Sequence, residues 1–127
     1  MLILGVFLAI HAWQTRDLPI DEPAPQTVLS LLDSPGIQSA VRDGEAGIVY
    51  FFAPWCFYCR TSIDNLDKLV REGNLAWATA VALAYGDVNE VREFVNETGI
   101  GLPVLLGTAG TASDWSVKAF PTYYVID

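Results

Sequence analysis

Ala53-Pro54-Trp55-Cys56-Phe57-Tyr58-Cys59-Arg60 holds both cysteines of a 127-residue chain, at the point where an apolar run gives way to a helical pattern. The run before it, residues 47–53 (Gly-Ile-Val-Tyr-Phe-Phe-Ala), is continuously apolar and rich in β-branched and aromatic side chains. That composition predicts a strand buried on both faces of a parallel sheet. After Cys56 the period changes: Ile63, Leu66 and Val70 recur at helical spacing, Asp64, Asp67, Lys68, Arg71 and Glu72 fall on other faces, and Gly73 ends the pattern. A strand followed by a helix puts Cys56 where ligands approach an open α/β sheet, beyond the strand's carboxyl end. Two thiols separated by two residues at that point can close a small disulfide, and a helix N-terminus favours the thiolate of the first. The chemistry indicated is dithiol redox exchange.

Other uses of two cysteines fit less well. So short a loop would stabilise the fold by only about 2 kcal/mol in the chain-entropy view, which gives a purely structural bridge little purpose. Zinc wants about four ligands, and the lone histidine, His11, lies far from the pair, so no metal site is expected. Covalent haem attachment needs C-x-x-C-H, and Arg60 stands in the fifth place. We therefore expect no cofactor beyond a redox-active Cys56-Cys59 disulfide. Paired thiolates do suit Cu(I), which keeps copper handling open as an alternative.

Composition bounds the rest. With 52% apolar and 17% charged residues the chain fits one domain with a real core. Seven basic against fifteen acidic residues leave a net charge of −8, which argues against nucleic acid and against charge-driven binding to an anionic membrane. Residues 1–12 are apolar apart from His11, with Trp13 at the end and Arg16-Asp17 beyond. The run is shorter than the about 20 residues a span requires, and we read residues 1–17 as the last part of an N-terminal membrane anchor, the domain following outside. Pro19, Pro23 and Pro25 make residues 18–26 an extended linker. Residues 27–127 form the domain.

Within it, residues 27–32 read as a short strand, and Ser34-Pro35 as an N-cap and first-turn proline of a brief helix to about Val41. Residues 75–84 read as a second apolar strand. Asp87-Val88-Asn89-Glu90 has the spacing of a capping box, opening a helix with Val91, Phe94 and Val95 on one face and Thr98-Gly99 at its end. Residues 102–106 read as a short strand, 107–113 as a small-residue loop, 114–119 as a short turn of helix, and 123–126 as a last strand entered through Phe120-Pro121-Thr122.

Phe51-Phe52-Ala53-Pro54-Trp55-Cys56-x-x-Cys59-Arg60 resembles the active-site segment of thioredoxin-like proteins, and Phe120-Pro121-Thr122 resembles their cis-proline segment. The spacing from Ala24-Pro25 through Val81-Ala82-Leu83, Pro103-Val104-Leu105 and Val125-Ile126-Asp127 is similar to membrane-anchored bacterial thiol-disulfide proteins of the TlpA and ResA type. The resemblance implies an α/β, thioredoxin-like fold: a central mixed sheet flanked by helices. It also implies a further strand and C-terminal helix after Asp127, which this sequence does not include, and so a C-terminally truncated domain.

For the site, the resemblance makes Cys56 the attacking thiolate and Cys59 the resolving thiol that releases the partner. Trp55 would shield the pair. Pro121 would be cis, bringing Phe120 beside the cysteines so that a substrate peptide could add as a short strand, with Trp55, Phe57, Tyr58, Phe120, Pro121 and Thr122 forming the substrate-binding surface. Two positions depart from the pattern. Tyr50 stands where thioredoxins carry a buried aspartate, and Ser62 where ResA-type proteins often carry a glutamate. Asp64, Tyr50 or water is left as a proton relay for Cys59. The implied partners are protein thiols or disulfides and a membrane-embedded thiol donor or acceptor, met at the periplasmic face of the bacterial inner membrane, with reduction as the commoner task and cytochrome c biogenesis as its usual setting. The competing reading is a non-catalytic peptide-binding module that uses the aromatic surface alone.

Overall fold

The computed structural model describes residues 25–126 except Asp33 and Asp43. The anchor expected at 1–17, most of the linker and His11 lie outside the described residues. The chain forms β1 (Val28–Leu31), β2 (Ile37–Ser39), β3 (Gly47–Phe52), α1 (Phe57–Arg71), β4 (Trp77–Ala82), α2 (Val88–Thr98), β5 (Val104–Leu106), α3 (Ala109–Asp114) and β6 (Thr122–Ile126). The strands make one six-stranded sheet in the order β2-β1-β5-β4-β3-β6. β3 runs parallel to β4 and β4 to β5, whereas β6 lies antiparallel to β3 and β1 antiparallel to β5. The sheet is mixed, and helices flank it.

The two faces of β3 sort its side chains. Tyr50 and Phe52 point toward α1 and α2, joining Ile63, Leu66, Val91 and Phe94 in one core. Phe94 stacks on Phe52 at 4.5 Å between ring centroids. Val49 and Phe51 point the other way, to Trp77, Leu105 and Trp115. Trp115, at the end of α3, is buried there, with its Nε1 donating to Thr27 Oγ1 at 2.8 Å. Strands β3 and β4 are nearly free of exposed positions, as continuous apolar runs require of a sheet covered on both sides. At the end of the order, β6 presents Tyr123 and Val125 to solvent.

Two expected elements are corrected. Ser34-Pro35 opens no helix: Gly36, at φ 124°, turns the chain, and β2 pairs back on β1 with Val28 opposite Ser39 and Ser30 opposite Ile37. A proline after serine serves a turn as well as a helix start, and pairing satisfies one whole edge of β1. The helix expected at 114–119 lies earlier, at Ala109–Asp114, in the stretch read as a loop. Thr108 and Thr111 cap it reciprocally, the N–H of each accepted by the other's hydroxyl oxygen at 3.3 and 3.1 Å. At α2, Asp87 caps Asn89 N–H at 2.7 Å, but Glu90 reaches back to Gly86 N–H rather than to the cap residue itself.

Candidate functional site

The site sits at the carboxyl ends of the parallel strands. Cys56 is the N-cap of α1, and its sulfur accepts the Cys59 N–H at 3.3 Å. The turn into the cap closes through Cys56 N–H to the Ala53 carbonyl at 3.0 Å. A cap position suits this sulfur because the first N–H groups of a helix lack intrahelical partners and point at it. Cys59, one turn on, continues the buried stripe of Ile63, Leu66 and Asp67 down α1. Both cysteines are free thiols, Cys56 6% exposed and Cys59 0%.

Burial governs the Cys59 thiol. Desolvation pushes the Cys59 thiol up to about 12; the hydrogen bond with Cys56 adds to the rise, while the Ala53 backbone and the Tyr50 hydroxyl oppose it. Cys59 is therefore a thiol at neutral pH. Tyr50, on β3, is itself held well above its ordinary range by burial. Its hydroxyl donates to the Cys59 carbonyl at 3.3 Å and shares a short hydrogen bond with Ser62 Oγ.

Around this buried centre stands an apolar rim. Trp55, Phe57 and Tyr58 are 66%, 71% and 73% exposed. Trp55 is anchored through Nε1 to the Ala84 carbonyl at 2.9 Å and meets Phe120 edge-on at 5.8 Å. Phe57 and Tyr58 make an edge-to-face pair at 5.9 Å. The Phe120-Pro121 peptide is cis, and Thr122 follows it into β6 opposite Phe51, its hydroxyl donating to Ala119 O at 2.6 Å. The structure thus gathers Trp55 and Phe120 beside the cysteine turn.

Asp64 is different: it is exposed on α1 and not among the groups that act on Cys59. The buried carboxylate of α1 is Asp67, which accepts from Gly101 N–H at 3.1 Å and Arg71 Nε at 3.1 Å in a separate hydrogen-bonded group. Two residues escaped the sequence reading. Ser62 drew notice only as a lost glutamate, although one helical turn past Cys59 puts it on the same side of α1. Arg60, noted only for not being histidine, ties the cysteine turn to α2: it donates to the Pro54 carbonyl at 3.4 Å, pairs with Glu97 and lies over the Phe94 ring at 5.5 Å. Among the described residues, no group of three or more histidine, cysteine, aspartate or glutamate side chains could hold a metal ion, and no helix is long and apolar enough to cross a membrane.

Comparison with known proteins agrees with this geometry. Residues 20–127 match the model of the AhpC/TSA family. A thioredoxin-like protein of Bacillus subtilis, YneN, is 27% identical over 122 residues, covering 92% of this chain and 72% of its own length. The thiol:disulfide interchange protein DsbE of Allochromatium vinosum is 28% identical over 148 positions, covering 98% and 75%. A thiol:disulfide interchange protein of the thioredoxin family from Chlorobium tepidum superposes with a TM-score of 0.73 at 24% identity, covering 86% of this chain and 80% of that one. The thioredoxin domain of a Bacteroides vulgatus thiol-disulfide oxidoreductase gives 0.76 at 17%, covering 87% and 83%. The chain belongs to the AhpC/TSA family and is a thioredoxin-like thiol-disulfide oxidoreductase.

Proposed function

We propose that the chain exchanges its Cys56-Cys59 dithiol or disulfide with protein partners outside the cytoplasmic membrane, more often as reductant. One observation carries this reading: the two thiols are chemically unequal. Both sulfurs are buried, but Cys56 sits at the helix cap with a backbone N–H aimed at its sulfur, whereas Cys59 lies one turn further along the helix and is held protonated. An outer nucleophile and an inner resolving thiol are what a two-step exchange needs. Cys56 attacks a partner disulfide, one partner sulfur leaves as a thiol, and Cys59 then displaces the other to close the intramolecular disulfide. Trp55, Phe57, Tyr58, Phe120, Pro121 and Thr122 take the partner segment, the apolar rim favouring an apolar or aromatic one.

Relatives named thiol:disulfide interchange proteins support the exchange itself, and the TlpA/ResA resemblance with the apolar residues 1–12 supports action while tethered on the periplasmic side. The TlpA/ResA resemblance supplies the corresponding task, reduction of cysteines in apocytochrome c or another redox partner with electrons from a membrane thiol donor. The test is a Cys59→Ser variant offered a disulfide-bonded peptide. A stable mixed disulfide through Cys56 is the expected result. Binding of peptide without any covalent intermediate would instead favour the module reading, which the strong exposure of Phe57 and Tyr58 also accommodates. Stoichiometric Cu(I) uptake without exchange would favour copper handling.

A further inference from the structure

Resolution has a proton problem. Cys59 must lose its proton to attack Cys56, yet it is 0% exposed and protonated at neutral pH. The side chains that act on it are Cys56 and Tyr50, and the Ala53 backbone is the remaining contact; none is a carboxylate. Tyr50 is packed beside Cys59 on β3, and its hydroxyl has one proton and two acceptors within reach, the Cys59 carbonyl and Ser62 Oγ. Ser62, on α1, is half-buried, so the Tyr50-Ser62 pair leads from the buried thiol toward solvent. The Tyr50-Ser62 hydrogen bond can run in either direction; with Tyr50 donating to Ser62 Oγ, its oxygen is left to accept from the Cys59 thiol.

We propose that the Tyr50-Ser62 hydroxyl pair is the proton path of Cys59 during resolution of the mixed disulfide. The inference rests on the exchange reading above. The step balances as follows: the Cys59 S–H proton passes to the Tyr50 oxygen, the Tyr50 proton to Ser62 Oγ, and the Ser62 proton to solvent. The Cys59 sulfur bonds to the Cys56 sulfur, and the partner's sulfur leaves with the bonding pair and takes a proton from solvent. No ionised phenol persists, which agrees with the burial that disfavours one. In this step the Tyr50 hydroxyl takes the thiol proton and is catalytic; Ser62 acts through it and is a positioning residue.

Oxidised glutathione is a sufficient probe. Reduced protein is mixed with it and quenched in acid, so that formation of the Cys56-glutathione mixed disulfide and its decay by Cys59 are timed separately. Tyr50→Phe is expected to slow the decay by roughly tenfold or more, the lower range of general acid-base effects. Formation should change by no more than about twofold, because the attack by Cys56 does not use the pair. Ser62→Ala should slow the decay less, Ser62→Thr should restore it, and the double variant should be no slower than Tyr50→Phe. In Tyr50→Phe the decay should climb in proportion to hydroxide, since only external base remains, while the parent shows a shallower rise. A decay unchanged in both Tyr50→Phe and Ser62→Ala at every pH would overturn the proposal. So would equal losses in formation and decay that Ser62→Thr does not rescue, which is the signature of a merely structural role. If the parent protein forms no mixed disulfide at all, the exchange reading fails and the relay fails with it.

Discussion

The rim of the cysteine turn and the floor beneath it are built on opposite principles. Above, Trp55, Phe57 and Tyr58 expose most of their surface and carry no charge; below, Tyr50 and Cys59 are packed into a core, and the Tyr50 hydroxyl pairs with the Cys59 carbonyl and with half-buried Ser62. The two regions are separated by a single turn of α1. Large exposed apolar side chains in a cluster signal something to be covered, whereas a buried thiol among hydroxyls signals something to be deprotonated. Cys56 lies between the rim residues Trp55 and Phe57 in the chain, and Cys59 lies beside Tyr50. Two intervening residues place the cysteines one turn apart on the same face of α1, so they differ in position along it: Cys56 caps the helix, and Cys59 lies a turn further in, beside Tyr50 of β3.

Rim and floor differ most at the cysteines. Cys56→Ser should lower disulfide exchange by roughly three orders of magnitude or more, as loss of a nucleophile does, while far-ultraviolet circular dichroism stays unchanged. Cys59→Ser should stop turnover as well but leave the first step running, so that mixed disulfide accumulates and mass spectrometry finds the partner on Cys56 alone. Exchange that survives Cys56→Ser would reverse the assignment of outer and inner thiol.

pH acts on the buried thiol. The Cys59 thiol of the folded, reduced protein is raised from 9.0 to about 12 by burial, so above the lower value the unfolded chain releases a proton that the folded chain keeps. The unfolded state then binds fewer protons, and stability of the reduced form should fall as pH rises from 9 toward 12. The oxidised form has no Cys59 thiol and should lack this component. Denaturant midpoints of the two forms, taken along the alkaline range, measure the difference directly.

Smaller effects come from the rim and from the opposite side of the argument, the scaffold. Phe57→Ser with Tyr58→Ser should raise KM for a peptide disulfide several-fold, change kcat little, and move stability within about 0.5 kcal/mol, because exposed side chains contribute little to the fold. Asp67→Ala should do the reverse. It removes a buried acceptor from Gly101 N–H and Arg71, which should cost about 1–3 kcal/mol by thermal unfolding, with exchange rates unaltered below the transition.

Much of this was legible in the sequence. The apolar run of β3, the cysteine turn and the helical stripe of α1 are local patterns, and each sits where its periodicity placed it. The hairpin of β1 and β2 was not legible, because Ser34-Pro35 is compatible with a turn or a helix start and the choice depends on pairing with residues 28–30. α3 was hidden for a related reason: residues 107–113 are small and have no apolar stripe, and what stabilises the helix is the Thr108-Thr111 cap together with burial of Trp115 beyond it. In the site, Cys56 and Cys59 announced themselves, but the partner of Tyr50 did not. A serine one turn along a helix is unremarkable until a tyrosine from another strand is known to meet it. Asp64, the other relay candidate, was attractive by residue type and lies on the solvent side of the helix.

The most direct test of the central claim is an equilibrium titration of the whole chain in graded glutathione buffers, quenched in acid, with the remaining thiols alkylated and counted. If Cys56 and Cys59 work as an exchanging pair, they will oxidise together in one two-electron transition, at a potential near or below roughly −250 mV for a reductant. Two thiols that stay reduced across the whole series, or that are modified one at a time by glutathione without closing on each other, would contradict it.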